Sequence, residues 1–440
     1  MKAMNVGLLG IGTVGGGTYT VLKRNAEEIT RRAGRPIEIT VVADRNLELA
    51  RKVTGGTCRL TDDAFSVVAD PEVDVVIELI GGYGIARELV LKAIENGKHV
   101  VTANKALLAE HGEQLAQAAV RHGRVLAYEA AVAGAVPVIK ALREGLAGNR
   151  IDALAGVLNG TSNYILTRMQ AAGLDFATAL AEAQALGYAE ADPSLDVDGT
   201  DAAHKLTLLA ANAFGLPPAL DAVHVEGLRD LQPGDMAAAA QLGYVVKLLA
   251  IARRGAQGME LRVHPALVPA QHALARLDGA SNGLLVRADA AGEAFFSGAG
   301  AGGEPTASAV LADLVDLARH PGTDGRWGGP TAIPTLGLRA DAPAAPLPMA
   351  QVRTRQLLRL LPGKTFNEAQ VLRQLAHAGV KVERRAWGPA EAAGASPSLL
   401  LLTAPVPDGL AAQAAERLQA HTGARVRRLR VEDFGAQQFE

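Results

Sequence analysis

The chain has 440 residues, of which 49% are apolar, 20% charged and 4% aromatic, as is typical of a globular protein with roughly two or three domains. Its 44 Lys and Arg nearly balance its 46 Asp and Glu. The net charge of -2 lacks the excess of basic residues that is typical of proteins that bind nucleic acid or an anionic membrane. We therefore expect a small-molecule partner, with no nucleic acid and no membrane. The single cysteine, Cys58, excludes an internal disulfide and a multi-cysteine zinc site, and it indicates a cytoplasmic location.

The first third of the chain alternates short apolar strands with amphipathic helices. This alternation predicts an α/β fold with a doubly wound, Rossmann-type parallel sheet over residues 1–136. The predicted strands are Asn5–Leu9, Pro36–Ala43, Val73–Leu79, His99–Thr102 and Val125–Tyr128. The predicted helices are Val14–Arg31, Ile85–Asn96 and Ala106–His122, and the last two are followed by glycines that suit a left-handed helix end.

The pattern changes after Pro137, where helices lengthen and strands lie among them. A strand at Asp152–Leu158 and helices at Phe176–Leu186 and Asp201–Phe214 predict an α+β domain over residues 137–303. Residues 304–320 are expected to return to the first domain. The Gly-, Pro- and Ala-rich residues 321–349 indicate a linker.

The last part of the chain, residues 350–440, follows the order strand, helix, strand, strand, helix, strand. This order is typical of a ferredoxin-like βαββαβ unit. The predicted elements are Gln356–Leu361, Asn367–His377, Val380–Ala386, Leu399–Thr403, Gly409–His421 and Arg425–Arg430.

A glycine-rich turn joins the first predicted strand to the first predicted helix, and it reads Gly10-Ile11-Gly12-Thr13-Val14-Gly15. The position between strand and helix gives this fingerprint a mechanical meaning. Gly10 permits the tight turn, Gly12 lets backbone amides approach a pyrophosphate, and Gly15 lets the helix pack closely on the strand. The turn therefore predicts a dinucleotide site at the amino end of the helix.

Two charged residues follow the second predicted strand and bear on the choice of dinucleotide. The Asp44 carboxylate suits a ribose 2′-hydroxyl, whereas the Arg45 guanidinium suits a 2′-phosphate. NAD and NADP therefore both remain open.

Three charged side chains are candidates for the chemistry. Lys105 closes the turn that begins at Thr102, at the edge of a parallel sheet where ligands bind; the alternative is a lysine in water. Asp201 and Lys205 are four residues apart on one face of a helix that is otherwise almost entirely apolar, which predicts burial. The cost of desolvation offsets most of the stability that a buried ion pair provides. A functional role therefore explains the presence of this pair better than a gain in stability does.

The loop EADPSLDVDGTD crowds carboxylates just before that helix, among them Glu190, Asp192 and Asp196. The spacing excludes a calcium-binding loop of the EF-hand type. If Gly199 were the turn glycine of such a loop, the position of its last ligand, a glutamate, would be occupied by Lys205. The carboxylates instead suit a cationic substrate group such as an ammonium. The alternative is a solvated acidic loop.

Taken together, these residues resemble the homoserine dehydrogenases of aspartate-derived amino-acid biosynthesis. The resemblance implies a reversible, NAD(P)H-dependent reduction of L-aspartate 4-semialdehyde to L-homoserine, in the synthesis of threonine, methionine and isoleucine. The matching stretches span about Asn5 to Arg319 and are GLLGIGTVGGGT, ENGKHVVTANKALLA, YEAAVAGAVPVIK, LNGTSNYIL, GYAEADPSLDVDGTDAAHKL and GAGAGGEPTASAVLADLVDLAR.

The resemblance also implies roles for individual residues. Lys205 would be the proton donor or acceptor, with Asp201 in the same catalytic group and Lys105 in contact with substrate and cofactor. The dinucleotide contacts would be Gly10, Ile11, Gly12, Thr13, Val14, Gly15, Asp44, Arg45, Thr102, Lys105, Gly302 and Glu304. The substrate contacts would be Glu190, Asp196, Lys105, Asn159, Gly160, Thr161 and Tyr188. A monovalent cation, usually sodium, would bind mainly to the backbone carbonyls of Glu129, Val132, Gly134 and Val136.

The C-terminal unit resembles an ACT domain, a regulatory module that binds amino acids. L-threonine is the expected effector, and a structural or dimerising role is the alternative. The loop from Leu361 to Thr365 has no preceding acid, and the strands KVERRAW and RVRRLRV are unusually basic for such a module. The resemblance further implies a homodimer or a homotetramer.

Three other functions fit the sequence less well. A sugar or polyol dehydrogenase of similar architecture would not explain the carboxylates near a small substrate. A non-catalytic sensor of NAD(P) and an amino acid would not need Lys105, Asp201 and Lys205. A phosphorylating semialdehyde dehydrogenase needs a cysteine nucleophile, and Cys58 lies between the second and third predicted strands, away from the predicted site.

Overall fold

The structure is a computed structural model that describes residues 2–255, 257–319, 346–363, 366–388 and 396–434. These residues form two compact units. The first contains residues 2–152, 204–220 and 286–319, and the second contains the described residues of 153–203, 221–285 and 346–434. The predicted linker falls almost entirely outside the described residues.

The helices and strands of the described residues are numbered in chain order. The helices are α1 (Thr13–Arg24), α2 (Ala26–Ala33), α3 (Leu47–Thr54), α4 (Ala64–Ala69), α5 (Gly84–Glu95), α6 (Lys105–Arg121), α7 (Val138–Lys140), α8 (Gly160–Ala172), α9 (Phe176–Ala185), α10 (Ser194–Val197), α11 (Thr200–Phe214), α12 (Pro233–Gln241), α13 (Gly303–Arg319), α14 (Glu368–His377) and α15 (Asp408–Thr422). The strands are β1 (Met4–Leu9), β2 (Ile37–Ala43), β3 (Arg59–Thr61), β4 (Val75–Glu78), β5 (His99–Thr102), β6 (Leu126–Ala127), β7 (Ile151–Val157), β8 (His224–Val225), β9 (Tyr244–Gly255), β10 (Gly258–Pro269), β11 (Ser281–Ala288), β12 (Gly292–Ala299), β13 (Arg353–Leu361), β14 (Val382–Trp387), β15 (Leu399–Thr403), β16 (Val406–Pro407) and β17 (Arg425–Val431).

The first unit is built on a parallel sheet with the strand order β3-β2-β1-β4-β5-β6. This order confirms the predicted doubly wound, Rossmann-type fold. The winding reverses between β1 and β4, and ligands of such sheets bind beside the carboxyl ends of the strands at that point. Buried apolar side chains of α1, α2 and α13 pack on one face of the sheet, so the helix that follows Pro305 belongs to this unit, as expected.

One prediction for the first unit was wrong, and one segment was left without a prediction. The helix expected at Val14–Arg31 is two helices, α1 and α2, because Asn25 takes a non-helical backbone conformation (φ -109°, ψ 22°) between them. The segment between β2 and β4, for which no elements were predicted, forms α3, β3 and α4. These elements have only three to eight residues each, which leaves few positions in which a periodic pattern can be recognised.

The second unit contains a mixed sheet in which the strands β11-β7-β9-β10-β17-β13-β15-β14 are neighbours. Its centre is a long antiparallel hairpin of β9 and β10, with Tyr244 opposite Pro269 and Gly255 opposite Gly258. The hairpin was not predicted. Strand β9 is apolar along most of its length and does not alternate, and the alternation of apolar and polar residues in β10, from Met259 to His264, was overlooked.

The C-terminal part of this sheet confirms the predicted βαββαβ order. Its four strands lie in the order β17-β13-β15-β14, which places the first and third strands of the unit, β13 and β15, at the centre, as in a ferredoxin-like unit. Strand β17 also pairs in parallel with β10, through Ala266 opposite Arg430 and Leu267 opposite Val431. The C-terminal strands therefore continue the sheet of the central hairpin.

The basic character of β17 is explained by buried carboxylates. Asp235 on α12 is fully buried and accepts bonds from Arg427, at 2.8 Å, and from Arg359 on β13, at 2.9 Å. Arg430 bonds both Glu226 and Asp408 at 2.7 Å. Because Arg427 and Arg430 pair with acids on elements outside the ferredoxin-like part, Asp235 and Glu226, this strand connects the C-terminal part to the rest of the second unit.

Lys247 on β9 is a further buried charged residue in this unit. Its side chain is 1% exposed, and its ammonium donates to the Leu277 carbonyl at 2.5 Å and to Asn163 Oδ1 at 3.2 Å. Asp278 lies 3.8 Å away. Burial lowers the pKa of Lys247 from 10.5 to about 8.

Within the described residues, every helix is too short or too polar to cross a bilayer.

The lowered pKa of Lys247 predicts a pH-dependent stability. The native state releases this proton near pH 8 and the unfolded chain near pH 10.5, so the unfolded state binds more protons in between and stability rises with pH. We expect the free energy of unfolding of the wild type, relative to Lys247→Met, to rise by about 2 kcal/mol between about pH 7.5 and 9.5. Urea unfolding at both pH values measures this difference.

The matched control is Lys92→Met, which removes an exposed lysine and should leave the relative stability unchanged with pH. Parallel pH dependences of the wild type and Lys247→Met would show that Lys247 does not titrate in this window.

Candidate active site

The glycine turn of the first unit has the geometry of a dinucleotide loop. Gly10 has φ +93°, and a Cβ there would lie 2.8 Å from the Leu79 carbonyl oxygen, so only glycine fits. A Cβ at Gly15 would overlap the Gly10 carbonyl, which shows how closely α1 packs on the turn. Nothing lies within 4 Å of a Cβ built on Gly12, and this residue begins α1 without a side-chain cap. The open space beside an uncapped helix start fits a pyrophosphate.

The loop before α13 lies against the same turn. A Cβ at Gly303 would come 2.9 Å from the Thr13 carbonyl oxygen, and one at Gly17 would meet the backbone of Gly303 at 2.6 Å. Gly302 has φ +124°. Glu304 forms a bidentate ion pair with Arg24 at the end of α1, with N–O distances of 2.9 and 2.7 Å. The chain thus returns to the nucleotide turn at Gly302 and Gly303.

Asp44 lies at the carboxyl end of β2 and supports the turn. Its Oδ2 accepts a bond from the Ile11 amide at 2.7 Å, and its Oδ1 accepts one from the Asn46 amide at 2.8 Å. Arg45 is exposed. Both residues lie at the position expected for ribose recognition, and Asp44 also fixes the backbone beside Gly12.

The carboxyl ends of β4 and β5 carry a buried polar group that the sequence argument missed. Glu78 accepts bonds from the Thr102 hydroxyl at 2.7 Å and from the Ile80 and Gly81 amides at 2.9 and 3.1 Å. An acidic residue at the end of an apolar strand was the available signal. This arrangement fixes Thr102 and the glycine loop after β4 beside the switch point of the sheet.

Lys105 is the first residue of α6 and is half-buried. Asn104 caps that helix by accepting the Leu107 amide, and its Nδ2 donates to the Gly82 carbonyl at 2.7 Å. Asn104, which was also missed, therefore ties the start of α6 to the loop after β4. The backbone that carries Lys105 is fixed on two sides.

Helix α11 confirms the predicted burial of Asp201 and Lys205, which are 7% and 8% exposed. Every residue from Asp201 to Ala211 is buried. The helix therefore places a carboxylate and an ammonium one turn apart in a buried position.

Asn159 joins two of the predicted carboxylates. Its side-chain nitrogen donates to Asp196 Oδ1 and to Asp201 Oδ2, each at 2.7 Å. Its own Oδ1 caps α8 by accepting the Ser162 amide at 2.7 Å. Gly160 follows, and a Cβ there would lie 2.8 Å from the Ala280 carbonyl oxygen. Asp196 and Asp201 are thus brought together through an amide 37 and 42 residues away in sequence.

The other acidic side chains of the loop do not join this group. Asp192 bonds the amide and hydroxyl of Ser194, which lowers the pKa of that exposed carboxyl. Asp198 pairs with Arg229 at 2.5 Å. Glu190 is exposed, and Gln184 binds only its backbone carbonyl, at 3.0 Å.

Two further predicted substrate residues are near neighbours. The Thr161 hydroxyl donates to the Tyr188 carbonyl at 2.7 Å, and the half-exposed Tyr188 ring stacks on Tyr164 with 4.7 Å between ring centres. These contacts connect the start of α8 to the segment that carries Glu190.

The predicted cation segment follows β6 in the first unit. The Glu129 carboxylate accepts the Ile139 and Lys140 amides at 3.0 and 2.7 Å, and burial, with a contribution from Asp313, raises the pKa of Glu129 to about 7. The side chain thus serves as a helix cap. Ala133 and Gly134 have φ +57° and +56°, which turns the backbone sharply between Val132 and Val136. No group of three or more His, Cys, Asp and Glu in the described part of the chain could hold a metal, so a cation here would depend on backbone oxygens.

Comparisons with known proteins agree with this geometry. The family model for the NAD-binding domain of homoserine dehydrogenase matches residues 10–129, and the homoserine dehydrogenase model matches residues 137–315. A homoserine dehydrogenase of Pseudomonas aeruginosa is 48% identical and covers 99% of this chain and 100% of its own length.

Solved structures give the same result. A homoserine dehydrogenase from Thiobacillus denitrificans has a TM-score of 0.91 at 48% identity and covers 99% of both chains. A hyperthermophilic archaeal homoserine dehydrogenase in complex with NADPH has a TM-score of 0.62 at 26% identity, over 72% of this chain and 97% of its own.

The Rossmann-type sheet and its glycine turn define an NAD(P)-dependent oxidoreductase. The chain belongs to the homoserine dehydrogenase family.

The geometry of the nucleotide turn predicts different effects for alanine substitutions at Gly12 and Gly10. Gly12→Ala is expected to fold normally, because Gly12 has φ -60° and open space around its Cβ, but to weaken NADPH binding at least about tenfold by filling the pyrophosphate position. Gly10→Ala is expected to lose about 1–3 kcal/mol of stability through its φ of +93° and the overlap with Leu79. Thermal melting and fluorescence titration with NADPH measure both effects. Wild-type affinity in Gly12→Ala would show that the dinucleotide binds elsewhere.

Proposed function

We propose that this chain catalyses the reversible, NAD(P)H-dependent reduction of L-aspartate 4-semialdehyde to L-homoserine. The observation that carries the proposal is the buried pair on α11, Asp201 and Lys205, with Asp201 tied through Asn159 to Asp196. A buried ammonium and two neighbouring carboxylates match a small substrate that has both a carbonyl oxygen and an amino group. Membership of the homoserine dehydrogenase family supports the same substrate.

The cofactor is NAD or NADP, held by the Gly10–Gly15 turn at the start of α1. The bound nicotinamide supplies the hydride that the aldehyde carbon accepts. Thr102 and Lys105, fixed at the carboxyl end of β5, would hold the cofactor beside the substrate. Asp44 suits the ribose of NAD and the exposed Arg45 suits the phosphate of NADP, so these two residues do not decide between the cofactors.

Lys205 is the proposed general acid that protonates the carbonyl oxygen as the alkoxide forms, and the general base in the oxidative direction. Its place in a buried helix removes competing water and strengthens its interaction with a developing negative charge. Lys105 would share the stabilisation of that charge. Asp201, one turn before Lys205, belongs to the same catalytic group.

The substrate amino group would be bound by Asp196 and Glu190. Asp196 is supported by its fixed position beside Asp201. Glu190 lies in an exposed segment joined to the start of α8 through Tyr188 and Thr161. An ammonium between these acids would gain charge-assisted hydrogen bonds.

A monovalent cation, sodium, is proposed to bind the backbone carbonyls of the segment from Glu129 to Val136, as the family resemblance implies. The sharp turn at Ala133 and Gly134 supports the proposal, and so does the use of the Glu129 carboxylate as a helix cap.

The proposed organisation of the chain follows the expected boundaries. Residues 1–136, completed by 304–320, would bind the dinucleotide, and residues 137–303 would bind substrate and form a homodimer or homotetramer. Residues 321–349 would link them to a regulatory ACT-like domain at 350–440, which the ferredoxin-like strand order supports. The single, free cysteine suits work in the reducing cytoplasm.

The central test is a spectrophotometric assay of the purified chain. L-homoserine with NADP or NAD, and the semialdehyde with NADPH or NADH, should give turnover, whereas sugars and polyols should not. Lys205→Ala should lower kcat by about two to four decades, since general acid-base catalysis contributes that much. Lys92→Met, which removes an exposed lysine, is the matched control. Undiminished turnover in Lys205→Ala would remove Lys205 from this role, and absence of wild-type turnover would overturn the proposed reaction.

The regulatory proposal has its own test. Titration calorimetry of the full chain with L-threonine should give saturable heat, and L-threonine should inhibit turnover, with L-valine as the control ligand. Absence of both heat and inhibition would leave the C-terminal strands with a structural or dimerising role.

A further inference from the structure

We propose that Asn159 is a positioning residue and not itself a substrate ligand. It holds the carboxylates of Asp196 and Asp201 at fixed positions relative to each other. This refines the role that the family resemblance implied for Asn159, and it rests on the proposed function of the two carboxylates.

The hydrogen-bonding capacity of Asn159 is the first argument. An asparagine amide has two N–H donors, and here one is given to Asp196 Oδ1 and the other to Asp201 Oδ2, both at 2.7 Å. The amide oxygen accepts the Ser162 amide at 2.7 Å. A substrate that took a hydrogen bond from Asn159 would have to displace a bond to an anion, which is among the stronger bonds in proteins.

The rigidity of the surrounding backbone is the second argument. Asn159 is extended (φ -127°, ψ 115°) between β7 and α8. Gly160 packs directly against the Ala280 carbonyl, where a Cβ would lie at 2.8 Å. The Ser162 hydroxyl donates to the Asp196 carbonyl at 2.8 Å, and Asn163 Nδ2 donates to the Leu277 carbonyl at 2.8 Å. The first turn of α8 is therefore held on several sides, which fixes the direction of the Asn159 amide.

The charge balance is the third argument. Two carboxylate oxygens that both lie 2.7 Å from one nitrogen carry like charges at close range. The two amide hydrogens lie between them and offset their repulsion. Without these donors the carboxylates would move apart, and Asn159 would no longer anchor the first turn of α11, which contains Asp201 and precedes Lys205 by one turn. A misplacement of about 1 Å can lower turnover about 100-fold.

The substitution that tests the proposal is Asn159→Asp. Aspartate caps helices as well as asparagine does, so the bond to the Ser162 amide is retained while both donors are lost. If Asn159 only caps α8, this variant should be nearly wild type. If it positions the two carboxylates, kcat with L-homoserine should fall about 100-fold while the Kd for NADPH is unchanged.

The matched control is Asn367→Asp. Asn367 caps α14 by accepting the Gln370 amide at 3.1 Å, which is the same type of cap in the ferredoxin-like part of the chain. This variant should retain wild-type turnover and melting temperature. A wild-type enzyme that turns over L-homoserine, together with an Asn159→Asp variant of equal kcat, would overturn the positioning role and leave the proposed function intact. An Asn159→Asp variant with raised KM and unchanged kcat would make Asn159 a substrate ligand and equally contradict the proposal.

A stability measurement gives a readout that does not depend on activity. Asn159→Asp should melt at a lower temperature than Asn367→Asp, because it places a third carboxylate against two others. Adding Asp196→Asn restores one amide donor between acids and should recover part of the lost melting temperature, although it removes a proposed substrate contact. A double variant that melts no higher than Asn159→Asp would show that the amide-carboxylate bonds do not hold this group together.

Discussion

The burial of charge in α11 is the constraint on which the rest of the site depends. Removing a carboxylate and an ammonium from water costs several kcal/mol for each ion, and hydrogen bonds must offset that cost. For Asp201 one such bond comes from Asn159, whose amide also binds Asp196. The chemistry and the local structure thus depend on the same bonds, because the group that fixes Asp201 also keeps a second acid beside it.

In the nucleotide turn, backbone groups are fixed by hydrogen bonds to carboxylates and by close packing. Gly10 and Gly15 are glycines because other atoms already occupy the positions of their side chains, whereas Gly12 is open. Asp44 and Glu78 accept backbone amides from the loops that flank the turn, so these loops are fixed by buried or half-buried carboxylates. The turn is therefore preorganised to receive a pyrophosphate at a helix start, which reduces the ordering that binding would require.

Sequence reasoning succeeded where the signal is local. The alternation of apolar strands and amphipathic helices predicted the parallel sheet, and the apolar surroundings of Asp201 and Lys205 predicted their burial. The order of helices and strands along the ferredoxin-like part of the chain was also predicted. These features depend on residues within one turn or one strand of each other.

It failed where distant residues decide the outcome. Strand β9 has no clear periodicity because both of its faces are buried, and the break at Asn25 interrupts a helical pattern that otherwise continues. The crowded acidic loop divides into separate pairs, and only Asp196 joins Asp201, through an amide far away in the chain. The family resemblance assigns all three residues to the site, but no spacing rule connects Asn159 to two acids 37 and 42 residues later, so the bonds between them are seen only in three dimensions.

The most direct measurement of the central claim is a crystal structure of the chain with NADP and L-homoserine bound together. The account predicts that Lys205 Nζ lies within about 3.2 Å of the substrate hydroxyl oxygen. It also predicts that the substrate ammonium contacts Asp196 and that the Asn159 amide still bridges the two carboxylates. A complex in which the Lys205 ammonium makes no contact with the substrate hydroxyl, while another side chain does, would contradict it.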